Sequence, residues 1–297
     1  HVQEDRMSGK VIAVGGATAS GKTALAVRMA EKYDGEVISA DALLVYRGLD
    51  IGTAKPTAEE MRGIPHHMID VADPTENFSA SDYERLALPV LRDVLARGKT
   101  AIVCGGTGFY MQSLLFARSL GGVAASKEAR EKYARIAEEK GKAYLHSLLE
   151  ERDEESAAKL HENDVKRVIR ALEIYELTGR KKSEQHDGWT PRFSYEAYAI
   201  DLPREELYGR IDRRVEEMFA RGLVGEVEGL LSRGIDERCQ CMQAIGYKEI
   251  AEGLRTGQTE GEMKEKIKKN TRNYAKRQLT FFRKFPALRW IEEGLLP

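Results

Sequence analysis

Cysteine is scarce: Cys104, Cys239 and Cys241 are the only three in 297 residues, and no CxxC pair occurs. An odd count without that spacing excludes a disulfide framework and argues against a cysteine-based zinc site. Cys239-Gln240-Cys241 reads as two ordinary reduced thiols. No stretch approaches the ~18 consecutive apolar residues of a membrane span. The residues before Met7 (HVQEDR) resemble neither a signal nor a transit peptide and read as a ragged start, so a cytoplasmic location is expected. Net charge is also missing: 47 basic against 48 acidic side chains leave −1, so the overall balance does not point to nucleic acid. Its distribution does. Lys264 to Lys284 holds nine Lys/Arg and one acid, Glu265, so basic charge is gathered at one end.

What is present fits a charge-rich globular chain, 42% hydrophobic and 32% charged, of a length that predicts about two domains. Lys10–Val14 is a short apolar run ending in Gly15-Gly16, with helical spacing following from Lys22 to Tyr33. This reads strand, Gly-rich turn, helix. Strands are also predicted at Glu36–Ser39, Thr100–Cys104, Tyr195–Leu202 and Leu288–Ile291. Helices are predicted at Asp82–Arg97, Arg204–Ala220, Leu223–Arg233 and about Glu260 to Lys284. Alternation of this kind implies a mainly parallel sheet with ligands at the carboxyl ends of its strands. From about Ser119 to Gly179 nearly everything is charged and helix-forming. The expected organisation is a phosphate-loop (P-loop NTPase-like) α/β core over 7–118, an all-helical insertion over 119–193, and the rest of the core over 194–297.

Gly16-Ala17-Thr18-Ala19-Ser20-Gly21-Lys22-Thr23 matches G-x-x-x-x-G-K-[ST] at the predicted strand-to-helix turn. Its glycines let backbone N–H groups fold round an oxyanion, Lys22 adds a point charge, and the Thr23 hydroxyl is placed to ligate Mg²⁺. The loop grips a nucleotide's polyphosphate or another diphosphate equally well. Asp41, at the mouth of the next strand, has three competing readings: a substrate-binding carboxylate of a small-molecule kinase, a catalytic base, or a surface turn residue. No acid ends the Thr100–Cys104 strand, where a Walker B carboxylate would favour ATP chemistry, and Asp70 is a weak substitute. His66-His67 read as structural at a strand edge, and His146, His161 and His186 as solvated.

Taken together, GGATASGKT (15–23), DALLVYRGLDIGTAKP (41–56), PHHMID (65–70), GGTGFY (105–110), NDVKRVIRALE (163–173), AIGYKE (244–249) and TRNYAKRQLTFFRKF (271–285) resemble the tRNA dimethylallyltransferase family, bacterial type. The blocks span nearly the whole chain in the family's order. The resemblance implies transfer of a dimethylallyl group to N6 of the adenosine 3′ of a tRNA anticodon, in tRNAs reading UNN codons, with Mg²⁺. The loop then holds dimethylallyl diphosphate, Asp41 is the general base, Arg214 reaches the diphosphate, and Thr107 lies beside the reacting amine. The target base must leave its stack, which calls for a basic cradle round the anticodon stem-loop. By resemblance that cradle includes Asp41, Ala42, Leu43, Leu44, Thr107, Arg130, Lys166, Arg167, Val168, Ile169, Arg170, Gln243, Gly246, Tyr247, Lys248, Lys276, Arg277, Gln278, Thr280, Phe281 and Arg283. A monomer is expected. Rival readings are an adenylate isopentenyltransferase, which needs no basic helix, and a P-loop kinase.

The chain departs from the family pattern in places. Ala42-Leu43-Leu44 stand where many members carry Ser-Met-Gln, which removes a polar contact to anticodon-loop bases. Phe281 replaces a common Trp, the segment after Leu115 lacks the usual prolines, and no Cys/His finger follows the core.

Overall fold

A computed structural model describes residues 9–117, 125–184 and 188–297. In chain order the strands are β1 (Val11–Gly15), β2 (Gly35–Ser39), β3 (His66–His67), β4 (Thr100–Cys104), β5 (Phe116–Ala117), β6 (Thr190–Pro191), β7 (Tyr195–Ile200) and β8 (Leu288–Ile291). The helices are α1 (Lys22–Lys32), α2 (Ala58–Met61), α3 (Ala80–Ala96), α4 (Gly108–Leu115), α5 (Lys127–Lys140), α6 (Lys142–Arg152), α7 (Glu154–Lys159), α8 (Val165–Thr178), α9 (Arg204–Ala220), α10 (Leu223–Ser232), α11 (Tyr247–Thr256) and α12 (Glu260–Phe282). The chain forms two compact units: residues up to Leu115 with Phe193–Pro297, and Phe116–Arg192. Residues 118–124, where the sequence puts the start of its insertion, lie outside the described set.

In the first unit six strands pair in parallel in the order β3-β2-β4-β1-β7-β8. The structure is thus the parallel α/β sheet flanked by helices that the strand–helix alternation predicts. β1 is flanked by β4 and β7 rather than by its sequence neighbour β2. The chain therefore reverses its winding direction beside β1, and a crevice opens at the strands' carboxyl ends. β1, VIAVG, is buried throughout because both faces are covered. Ile12 and Val14 pack with Leu25 and Met29 of α1, Ile102 of β4, and Tyr198 and Ile200 of β7. Each such side chain contributes about 1.5–3 kcal/mol of burial.

Local chemistry sets the helix starts. Ser79 caps α3 by accepting the Asp82 N–H at 3.2 Å, and Asp82 returns the bond to Ser79 at 2.9 Å. Thr259 and Glu262 repeat the arrangement at α12. The sequence reading did not anticipate α2, α4, α11, β5 or β6, and named His66-His67 only as a strand edge. All are short, and β3 exists only by pairing with β2 at the sheet edge. There His67 Nε2 meets Glu36 Oε2 at 2.7 Å and His66 Nδ1 meets the Ile64 carbonyl at 2.8 Å, a structural use of both rings.

The second unit is four helices, α5 to α8, with a two-strand ribbon of β5 and β6 at its ends. Its core holds Tyr133, Leu145, Leu149, Val168, Ala171 and Leu172. His146 is not solvated as expected: its Nε2 meets the Ala157 and Leu160 carbonyls at 3.1 and 2.7 Å, tying α6 to the end of α7. His186 lies outside the described residues.

Candidate active site

Loop 16–23 leaves β1 through Gly16 (φ +122°) and enters α1 through Gly21 (φ +89°), backbone angles that favour glycine. Gly21 is the N-cap of α1; no side chain caps it and no acid stands in the first turn. The helix therefore presents uncapped amides and positive potential to an incoming anion. Ala17 and Ala19 anchor the loop by burying their methyls against Leu207, Ile211 and Ala275. Lys22 Nζ is folded back onto the Ala17 carbonyl at 3.0 Å, which also accepts Ser20 Oγ at 2.7 Å. Burial pulls the Lys22 pKa down, while Cys104 and Asp41 act against that fall.

Helix α12 closes over this loop, and three glycines make the approach possible. A Cβ on Gly15 would stand 2.3 Å from the Phe282 ring, one on Gly106 2.2 Å from Gln278 Nε2, and one on Gly108 2.2 Å from the Phe281 ring. Gln278 then bridges two strand ends. Its Oε1 accepts the Thr18 N–H at 2.9 Å and its Nε2 donates to the Gly106 carbonyl at 3.1 Å. One loop amide is thus already taken by protein, and the buried Gln278 side chain holds the loop.

The turns after β2 and β4 are stitched together. The Thr107 N–H donates to the Ala40 carbonyl at 3.1 Å, and Thr107 Oγ1 accepts the Ala42 N–H at 2.9 Å. Asp41 Oδ1 accepts the amides of Leu43 (2.8 Å) and Leu44 (3.3 Å), which fixes the carboxyl's direction. Oδ2 has no protein hydrogen bond among the described residues. Asp41, Ala42, Leu43 and Thr107 line a cavity of about 350 Å³ with Thr18, Lys22, Arg214, Gln243, Gly246, Tyr274, Arg277 and Gln278. Burial first and the Asp41 charge second push the Tyr274 phenol up to about 12, so it stays a proton donor.

A second cavity of about 510 Å³ shares Lys22, Ala54, Arg214 and Met218 with the first. Gly21, Thr23, Arg28, Lys55, Arg62 and Arg221 line it with the acids Glu60 and Glu217; Lys55 is paired with Asp50 and Asp70 and Arg62 with Glu31, so Lys22, Arg28, Arg214 and Arg221 supply its positive field. Arg214 is common to both and donates to Thr18 Oγ1 at 3.4 Å. Burial lowers its pKa, a strain that an anion beside it would relieve. Asp70 is no substitute Walker B carboxylate: it pairs with Lys55. Among the described residues no three His, Cys, Asp or Glu side chains are grouped to hold a metal. Thr23 at the mouth of this cavity, with phosphate oxygens and water, fits Mg²⁺, which binds through one or two protein groups plus substrate phosphates.

The remaining expected RNA contacts divide. Tyr247 and Val168 are fully buried, and their side chains are unavailable to RNA. Val168 belongs to the helical core, and Ile169 packs against it. The Tyr247 hydroxyl donates to Glu226 and accepts the Gly52 N–H at 3.1 Å. Gly246 (φ +95°) caps α11 through Glu249, and Lys248 is exposed. In the helical unit Arg130 and Arg170 both pair with the buried Glu173, at 3.1 and 2.6 Å, and Arg167 pairs with Asp164 at 3.2 Å. Lys166 is exposed. On α12, Lys264, Lys266, Lys268 and Arg272 pair with Glu216, Glu252, Glu216 and Asp212, whereas Lys276 and Arg277 of the helix and Arg283 and Lys284 just after it meet no acid among the described residues. Lys276, Thr280 and Arg283 line a third cavity of about 430 Å³ with Tyr208 and Trp290.

The sequence reading gave two positioning residues no role in the site. Glu226 accepts the amides of Asp50, Ile51 and Gly52 at 2.9–3.3 Å and so holds the turn that walls both cavities. The phenol of Tyr274 stands near Asp41 and Thr107. An isolated Glu in a helix carries no sequence signal, but Tyr274 is legible by its four-residue spacing from Gln278 on one helix face.

Comparison with known proteins agrees with this geometry. A family model described as IPP transferase matches residues 44–285. A tRNA dimethylallyltransferase of Caldanaerobacter subterraneus subsp. tengcongensis is 45% identical over 290 residues, covering 96% of this chain and 92% of that protein. The crystal structure of a full-length tRNA isopentenylpyrophosphate transferase from Bacillus halodurans is 42% identical, with a TM-score of 0.71 over 95% of this chain and 89% of that one. A eukaryotic dimethylallyltransferase, whose crystallographic snapshots are described as acting on tRNA, gives 0.80 at 30% identity, covering 96% and 74%. With a family model spanning most of its length and relatives matching nearly all of it, the chain belongs to the tRNA dimethylallyltransferase family of enzymes.

Proposed function

We propose that this chain transfers the dimethylallyl group of dimethylallyl diphosphate to N6 of the adenosine 3′-adjacent to the anticodon in tRNAs reading UNN codons. It would act as a cytoplasmic monomer. The carrying observation is the pair of cavities that share Lys22 and Arg214: Asp41 and Thr107 line one, and the helix N-terminus with a ring of cations lines the other. Adenine fits the first and a diphosphate the second. The N6 lone pair is delocalised into the ring, so N6 is a poor nucleophile until it begins to lose a proton. Asp41 Oδ2 takes that proton as the N6–C bond forms and the allylic C–O bond breaks. Thr107 and Tyr274 orient the amine. The leaving diphosphate is received by the α1 amides, Lys22 and Arg214. Mg²⁺ at Thr23 would neutralise charge on the diphosphate oxygens. In the first unit, Lys276, Arg277, Arg283 and Lys284 contact the anticodon stem-loop backbone.

Labelled dimethylallyl diphosphate and Mg²⁺, with unmodified tRNA or AMP as acceptor, tests this. Label entering tRNA alone, with Asp41→Ala lowering the rate by about 10²–10⁴, is expected. Label in AMP would make the protein an adenylate isopentenyltransferase. ATP hydrolysis with neither acceptor labelled would make it a kinase.

A further inference from the structure

Phe109 is 68% exposed, the most exposed of the large hydrophobic side chains described. Single exposed apolar residues are common and need no explanation. This one differs in its support and its neighbours. Its ring meets Phe281 edge-on, centroids 5.4 Å apart at 64°. Phe281 lies against the Gly108 backbone and meets Phe282 at 5.5 Å, and Phe282 is fully buried against Gly15. A file of three rings therefore runs from the foot of the phosphate loop to the surface, and the outermost is braced on one side by Phe281 and otherwise largely exposed.

Its place in the chain is equally specific. Phe109 follows Thr107 by two residues, on the first turn of α4, while Thr107 lines the Asp41 cavity. Phe109 does not line that cavity; it stands outside it. The α12 face that carries Phe281 also carries Arg277 four residues before, which lines the Asp41 cavity and meets no acid among the described residues. An exposed ring braced by a second ring, near a guanidinium that meets no acid among the described residues, is the chemistry that recognises unstacked nucleic acid: base on ring, phosphate on guanidinium. A partner peptide or a second copy of this chain would not call for the guanidinium.

We propose that Phe109, braced by Phe281, stacks on the nucleobase adjoining the adenosine that enters the Asp41 cavity. Drawing one base out of an anticodon loop bares a face of its neighbour and costs a few kcal/mol. The phenyl ring replaces the lost partner and so holds the loop open. This inference rests on the tRNA reading proposed above and adds a specific stacking site to it.

The test uses the full chain and a short anticodon stem-loop RNA with 2-aminopurine beside the target adenosine. Phe109→Ala should weaken RNA binding about 5- to 150-fold, with affinity for dimethylallyl diphosphate unchanged. Phe109→Trp should restore binding, Phe109→Leu should not, and 2-aminopurine should be quenched by the wild type and Trp variant but remain bright with Ala. Wild-type RNA affinity in the Ala variant, or full rescue by Leu, overturns the stacking site while leaving prenyl transfer standing. A change in sedimentation on Phe109→Ala with RNA affinity intact would make the ring a protein contact instead. If wild-type protein labels AMP and never RNA, the tRNA reading itself fails, and that outcome is distinct from all of these.

Discussion

Between Lys264 and Arg272, α12 pairs four basic side chains with acids of its own protein. From Lys276 to Lys284, at the end of the helix and in the turn after it, no basic side chain meets an acid among the described residues. In the first stretch Lys264 and Lys268 converge on Glu216, at 2.9 and 2.8 Å, Lys266 reaches Glu252 at 3.0 Å and Arg272 reaches Asp212 at 2.7 Å. In the second stretch the cations face solvent or cavities, and the uncharged Gln278 and Phe282 pack onto the phosphate loop and β1. Composition makes the two stretches look alike. Their neighbours make one a structural brace and leave the other available to a polyanion.

Gln278→Ala should sharpen that contrast most. It strips partners from the Thr18 amide and the Gly106 carbonyl, and unsatisfied groups of this kind cost about 1–3 kcal/mol each. A fall of about 10- to 100-fold in kcat/KM for dimethylallyl diphosphate is expected, with the RNA dissociation constant near wild type. Steady-state kinetics beside an RNA titration would check it. A variant that lost only RNA affinity would make Gln278 an RNA contact of the Asp41 cavity and not a brace of the loop.

The cations should behave oppositely in the two stretches. Arg277→Ala or Arg283→Ala should reduce the slope of log affinity against log salt by about 1 for the RNA and leave the melting temperature alone. Lys268→Ala should leave the salt slope unchanged and cost about 1 kcal/mol or less in a urea titration. An equal loss of salt dependence in both would dissolve the distinction between the stretches.

The smallest effect expected is one of pH. Lys268 and Lys264 hold the Glu216 carboxyl below the usual carboxylate range. Its contribution is therefore present above the unfolded carboxylate pKa and is lost as pH falls through the lowered folded value. Melting temperatures of wild type and Glu216→Gln should differ near neutrality and converge in acid. A gap that widened on acidification would mean the carboxyl is not held by the two lysines.

The sequence by itself determined what depends on neighbours a few residues away. The phosphate loop was legible because Gly16 and Gly21 take positive φ and Lys22 opens a helix, all within one turn of chain. The five main strands and the long helices followed from periodicity, and the order of motifs carried the family. Only the tertiary structure decided which side chains serve the site. Gln278 reaches Thr18 across 260 residues and Glu226 reaches Ile51 across 175. Composition also could not distinguish the free cations of α12 from the paired ones, because the pairing acids Glu216 and Asp212 lie on α9. Periodicity records which face of an element is apolar. It does not record which polar group another element will bring against that face, and the roles of Gln278, Glu226 and Phe109 depend on those long-range contacts.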